Sequence, residues 1–397
     1  MMSRQHGDAI LKIRIDFKYL AIYKILCYRV PGMNEFVITA TRTMKSYAAE
    51  VAEIVTKFSS FSPFASSING INLLTTDRFA DGEKEVTISS SIRGKDVFLF
   101  ASCARNEAGL SVDEAKIEMY HAVDAIKRAQ AAQIIVFEPY MSCSRSDRTT
   151  RRSSVGLWAH LKILSSLGAR HFVTYQLHSD KSQAMLDPAR CVIDDIPAIT
   201  LLKLRLCDVY IKDIETLHNK VRNSWAFCSV DAGGEKLARR FANSFGVPLV
   251  VAHKQRDYSR QNSVECTNIL SAEPLEGKIL WVVDDMIDTA GSIDTLIRAL
   301  APMKPAEINL MAIHPVFSPP VSEKMNKLIN EKLLNHIIVT DTVDCSGYKE
   351  IPGLEIVPSV GMSARVIRTI ACKGSMAKLL DDFSAEQYLS APTLFNT

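Results

Sequence analysis

The stretch ILWVVDDMIDTAGSIDTLIRAL, residues 279–300, constrains the fold of this chain more than any other. Residues 279–283 form a continuous apolar run rich in β-branched side chains, the pattern of a buried strand in a parallel sheet. The run stops at Asp284 and Asp285. Asp288, Thr289, Ala290, Gly291 and Ser292 then make a small-residue turn, and Ile293, Leu296, Ile297 and Leu300 recur at helical spacing. Strand, acidic loop and helix follow one another, as in an α/β sheet.

That order has a chemical use. Small residues let backbone N–H groups approach an anion, and the helix brings the positive end of its dipole to the same place. The carboxylates of Asp284 and Asp285, just upstream, can accept hydrogen bonds from vicinal hydroxyls or hold the water shell of a metal. Together these features suit a sugar phosphate. An ordinary turn with an N-cap Asp is the bland alternative, but it gives two adjacent acids at a strand end no structural purpose.

At 397 residues the chain has room for two domains. A net charge of +3 makes no case for a nucleic-acid partner, and no apolar run approaches bilayer length, so a soluble, cytoplasmic protein without a membrane partner is expected. Nine scattered cysteines without a C-x-x-C pair suggest neither a disulfide framework nor a zinc site. Cys143 and Cys228, near polar loops, read as incidental thiols.

The division expected is an extension of uncertain status over 1–32, one domain over 33–190 and a second over 191–397. The extension has no small-residue cleavage site behind an apolar core; Asp8 and Asp16 weaken an organellar presequence, and Met33 is an alternative start. Residues 78–83, RFADGE, read as a turn with an aromatic tip before a strand at 85–88. Phe79 there could stack on a purine while Asp81 or Glu83 accepts from its exocyclic amine; a hairpin with a partly buried Phe is the alternative. Strand QIIVFEPY runs into a loop carrying Arg145, Asp147, Arg148, Arg151 and Arg152, which reads equally as a polyphosphate clamp or a solvated basic loop. Strand HFVTYQL ends at His178, SWAFCSV ends at Asp231-Ala232-Gly233-Gly234, and PLVVA delivers Lys254 and Arg256 into a polar loop. Helices are expected at 112–129, 158–167, 211–221, 235–245 and 365–380.

Taken together, VVDDMIDTAGS, RFADGE, the Arg145-Ser146-Asp147-Arg148 segment, Leu177-His178, Asp231-Ala232-Gly233-Gly234 and Lys254-x-Arg256 resemble the motifs of ribose-phosphate diphosphokinases, also called phosphoribosyl pyrophosphate synthetases. The resemblance spans residues 35–380. It implies an α/β fold of two doubly wound parallel-sheet domains of the type I phosphoribosyltransferase kind. It further implies transfer of diphosphate from ATP to O1 of ribose 5-phosphate, with phosphoribosyl diphosphate and AMP as products.

By the same resemblance Phe79, Asp81, Glu83, Arg145 and Asp147 bind ATP, the first three from a neighbouring subunit. Asp284, Asp285, Asp288, Thr289, Ala290, Gly291 and Ser292 bind ribose 5-phosphate, His178 and Asp231 hold Mg²⁺, and Lys254 and Arg256 form the catalytic loop. A homo-oligomer built on dimers, up to a hexamer, is also implied. Ser146 departs from the family's glutamine, Gln176 from its acid and Val230 from its proline. A non-catalytic regulatory homologue and a salvage phosphoribosyltransferase are the rival readings. Absence of a G-x-x-x-x-G-K-[ST] run disfavours a P-loop kinase.

Overall fold

The computed structural model describes residues 35–58, 68–149, 152–255, 266–380 and 384–390. Five strands make a wholly parallel first sheet: β1 (Phe36–Ala40), β4 (Asp96–Phe100), β5 (Gln133–Phe137), β6 (His171–Tyr175) and β7 (Val192–Ile196), in the order β1-β4-β5-β6-β7. Aromatic and β-branched residues fill β1, β4, β5 and β6 because both faces are buried there and alternate side chains enter opposite cores. Phe98 and Phe100 go one way, Val97 and Leu99 the other. The last strand, β7, overturns the expected boundary at 190, since the change of sheet comes after Ile196.

Helix α1 (Lys45–Thr56) covers one face of this sheet, and α2 (Val112–Arg128) and α3 (Gly156–Leu167) cover the other. A capping box starts α2: the Ser111 side chain accepts from the Glu114 N–H, and Glu114 reaches back to the Ser111 N–H. Between β1 and β4 the chain makes an antiparallel hairpin of β2 (Leu74–Arg78) and β3 (Lys84–Ile88). The helix expected at 211–221 belongs to a longer connection, in which α turns at Ile199–Arg205, Ile214–Thr216 and Arg222–Ser224 alternate with wider turns at Leu206–Ile211 and Leu217–Val221.

The second sheet runs β10-β9-β8-β11-β12-β13-β14. Its strands are β8 (Trp225–Ser229), β9 (Leu249–Gln255), β10 (Cys266–Ser271), β11 (Ile279–Ile287), β12 (Glu307–Pro315), β13 (Ile337–Thr340) and β14 (Leu354–Val357). Only β9 and β10 pair antiparallel. Successive strands are laid outward from β8 in one direction and from β11 in the other. The strand order therefore reverses between β8 and β11, and in open α/β sheets ligands bind at the carboxyl ends of the strands flanking such a reversal. Helix α4 (Glu235–Phe245) follows β8, α5 (Gly291–Leu300) follows β11 and α6 (Val321–Asn330) follows β12.

One core unites the halves. Phe36, Phe100 and Phe137 of the first sheet and Phe227, Trp281 and Met311 of the second belong to a single buried cluster, closed by α7 (Val360–Ala371). The expected closing helix at 365–380 starts earlier and breaks near Lys373, which takes a left-handed φ of 52° while the Gly374 N–H bonds back to the Thr369 carbonyl. A polar network crosses the same seam: Tyr47 OH lies 2.7 Å from both Ser359 Oγ and Ser363 Oγ, and Tyr175 OH lies 2.6 Å from Ser363 Oγ. Asp341 Oδ1 accepts from the Ser359 N–H at 2.8 Å. Arg105 adds a second tie, donating to the carbonyls of Pro315, Val316, Phe317 and Asp344 while lying over the Tyr348 ring.

Burial pushes the Asp341 carboxyl up to about 6. A raised folded-state pKa favours the fold fully only below the unfolded carboxylate pKa, and that contribution is lost as pH rises toward 6. Asp341→Asn, which keeps an acceptor for Ser359, is therefore expected to melt higher than the parent at pH 7.5, with the gap closing as pH falls to 4. A gap of equal size at both pH values would contradict the assignment.

Candidate functional site

β11 outlasts its neighbour. It pairs with β8 only as far as Val283, opposite Ser229, but with β12 as far as Ile287, opposite Pro315. The strand does not end at Val283, as the polarity change suggests, but carries Asp284 and Asp285 on its own last turns, above the end of β8. Pairing to β12 outweighs the loss of apolar character, and it fixes the acids on a rigid element.

The two acids differ. Asp284 is pushed well up, first by burial and then by the charges of Asp285 and Asp231. Asp285 is half-buried, which disfavours its ionisation, but the hydrogen bond and charge of His178, with the bond to Asp284, together hold its carboxyl below the ordinary range. His178 Nδ1 and Asp285 Oδ2 are 2.6 Å apart, and this bond raises the imidazole pKa. Ionising Asp284 beside Asp285 is therefore costly in the free site, a cost that a cation or sugar hydroxyls would offset.

After Ile287 the chain turns through Asp288 and Thr289 to Ala290, whose φ of 59° and ψ of 17° are left-handed and close the small cup in front of α5. At Gly291 an added Cβ would lie 3.5 Å from Lys324 Nζ, so this α6 ammonium faces the cup. Asp288 bonds across the molecule: its Oδ2 accepts from Arg145 Nη1 at 2.7 Å. Burial disfavours its ionisation, and Ser318 and the guanidinium outweigh that, so its carboxyl also sits low. This joins the Arg145 loop of the first half to the Asp288 loop of the second.

Asp231 lies just past β8, exposed, and its Oδ1 accepts from the Gly234 N–H at 3.0 Å. A Cβ at Gly233 would come 3.2 Å from that oxygen, which explains the small residues here. Three carboxylates, Asp231, Asp284 and Asp285, thus stand near the strand-order reversal; hard oxygen donors of this kind fit a magnesium ion that keeps most of its waters. His178 and Asp231 do not join a set of three closely spaced ligand atoms. Among the described residues only Cys103, Glu138 and His160 do.

The hairpin tip is placed apart. Phe79 is 54% exposed, its N–H bonded to the Glu83 carbonyl, and the Asp81 carboxylate accepts from the Glu83 N–H. Arg78 and Lys84 tie the hairpin to Glu114 of α2. Within the described residues Phe79, Asp81 and Glu83 share no hydrogen bond or ion pair with residues 284–292. Asp147 follows Arg145 in the loop, near enough to His178 for its charge to raise that imidazole. Lys254 lies in β9 opposite Thr267 of β10, and Arg256 lies outside the described residues, as does Arg151.

The chain matches two family models: "N-terminal domain of ribose phosphate pyrophosphokinase" over residues 36–168, and "Phosphoribosyl transferase domain" over residues 207–340. It is 31% identical to the ribose-phosphate pyrophosphokinase of Chlorobaculum tepidum, with 79% of this chain and 89% of that protein covered. The chain belongs to the ribose-phosphate pyrophosphokinase family. The enzyme of that name from Fusobacterium nucleatum is 30% identical over 77% of this chain and 89% of its own length. In fold, the phosphoribosylpyrophosphate synthetase of Mycobacterium smegmatis superposes with a TM-score of 0.71 at 24% identity, over 86% of this chain and all of that one.

Within this pyrophosphokinase fold the structure adds three residues that the sequence reading missed. His314, buried and kept neutral by its burial, faces the Gln176 carbonyl through Nε2 at 3.1 Å, so the proton sits there, and faces Thr342 Oγ1 through Nδ1. Asp195, raised by burial to about 6, accepts from the Leu177 N–H at 2.9 Å. Both hold the segment before His178. Lys324 at Gly291 is the third. A histidine ending an apolar strand was a visible signal for His314; the others depend on which elements come together.

Proposed function

We propose that this chain is a working ribose-phosphate pyrophosphokinase, transferring diphosphate from ATP to O1 of ribose 5-phosphate. The observation that carries the proposal is the acid pair on the overhang of β11, followed directly by the Ala290 cup and α5. Backbone N–H groups of Ala290, Gly291 and Ser292, with Thr289 and the facing Lys324, suit the 5-phosphate, because the helix N-terminus adds its dipole to theirs. Asp284 and Asp285 suit the ribose hydroxyls, and Asp288 completes the cup.

Diphosphate transfer needs alignment and neutralised charge more than covalent chemistry. Arg145 would leave Asp288 for the nucleotide phosphates, with Asp147 beside it, and Phe79, Asp81 and Glu83 would take the adenine of ATP bound to a second copy of the chain. That assignment suits a tip that stands apart from its own acids, and it makes a homo-oligomer the functional form. Lys254 of β9, on the flank of the same reversal, and Arg256, two residues further along the sequence, would meet the charge that builds on the transferred group. Asp231 and the acid pair would hold Mg²⁺, which would supply neutralisation of phosphate charge. His178 orients Asp285 and keeps it ionised.

The nucleotide product separates this reading from simpler ones. With ATP and ribose 5-phosphate the chain is expected to release AMP. Release of ADP would point to single-phosphoryl transfer, and dependence on a free purine would point to a salvage phosphoribosyltransferase.

A further inference from the structure

We propose that Cys103, Glu138 and His160 supply three ligands of a buried zinc site, separate from the acid-lined site and independent of the catalytic reading. Cys103 lies just past β4, Glu138 directly follows β5, and His160 lies on the buried face of α3. Their relative exposures are 1%, 0% and 2%. One sulfur, one imidazole nitrogen and one carboxylate oxygen all fall within 4.8 Å of one another. His160 Nε2 and Glu138 Oε2 are 3.1 Å apart. Ligands about 2.0–2.1 Å from a tetrahedral zinc stand about 3.3 Å from each other, so the pair needs little movement to share an ion.

The surroundings orient these atoms. Tyr120 OH lies 3.0 Å from His160 Nδ1, which lets Nδ1 carry the proton and leaves the Nε2 lone pair for the metal. The Ser142 N–H donates to Glu138 Oε1 at 3.0 Å, leaving Oε2 turned to His160. Thiolate and carboxylate together bring two negative charges that a divalent cation would offset, in a pocket whose nearest cationic side chain is the Lys116 ammonium. Mixed sulfur, nitrogen and oxygen donors suit zinc rather than magnesium. The ion would brace the ends of β4 and β5 at the root of the loop that carries Arg145.

The test uses the full chain, loaded with Zn²⁺ in excess Mg²⁺, dialysed into metal-free buffer and analysed for zinc. The parent is expected to keep one zinc per chain more than Cys103→Ala, and zinc is expected to raise the melting temperature of the parent alone. Co²⁺ in place of Zn²⁺ should give the parent a thiolate-to-cobalt charge-transfer band, which Cys103→Ala and His160→Gln lack or shift. Absence of that band from the folded parent, or equal zinc in parent and Cys103→Ala, would overturn the proposal. Absence of the band from the folded parent overturns the proposal even if neither variant folds.

Discussion

Replacing Asp284 and Asp285 together by Asn is expected to lower kcat/KM for ribose 5-phosphate about 10²- to 10⁴-fold, from two charge-assisted hydrogen bonds of about 1.5–3 kcal/mol each. The structure adds a second readout of opposite sign. Burial and the neighbouring charges of Asp285 and Asp231 hold the Asp284 carboxyl well up, so its ionised form strains the fold at neutral pH. Asp284→Asn alone should therefore raise the melting temperature at pH 7.5 while lowering activity. Stability and activity falling together would mean that the acid is a structural member of β11 and not a ligand for sugar hydroxyls.

Lys254→Ala is expected to lower kcat about 10²- to 10³-fold, the usual range for removing a donor that meets charge developing in the transition state. Binding of ribose 5-phosphate, measured by calorimetry, should change little, because the sugar cup lies on β11 and α5 and Lys254 leaves from β9. Equal loss of turnover and of sugar-phosphate affinity would place Lys254 in the cup instead.

Much of this was legible in the sequence because each motif rides on a local pattern. An apolar strand, a polar turn and an amphipathic helix announce themselves within the unit around 279–300, and the same holds for Asp231 before α4 and for the hairpin that exposes Phe79. Where the reading went astray, a distant partner had set the outcome. β11 runs past its polarity change because β12 continues beside it, and β7 belongs to the first sheet because β6 claims it. Long-range contacts left no local trace at all: between the halves, Arg145 on Asp288 and His314 on the Gln176 carbonyl, and within the first half, the meeting of Cys103, Glu138 and His160 from three separate elements. Spacing along the chain says little about ligands gathered by a sheet, so the scattered cysteines gave no sign of the proposed cluster.

Helices among the described residues are too short or too polar to cross a membrane, and the chain's chemistry is concentrated at strand ends around the β8–β11 reversal. The most direct test of the central claim is to incubate the purified chain, with no partner protein, with ATP, Mg²⁺ and ribose 5-phosphate and to follow AMP and phosphoribosyl diphosphate together. The account predicts that both form in equal amounts. If the folded chain forms neither, it is a non-catalytic member of the family and the proposed roles of Lys254, Arg145 and the acid pair are wrong.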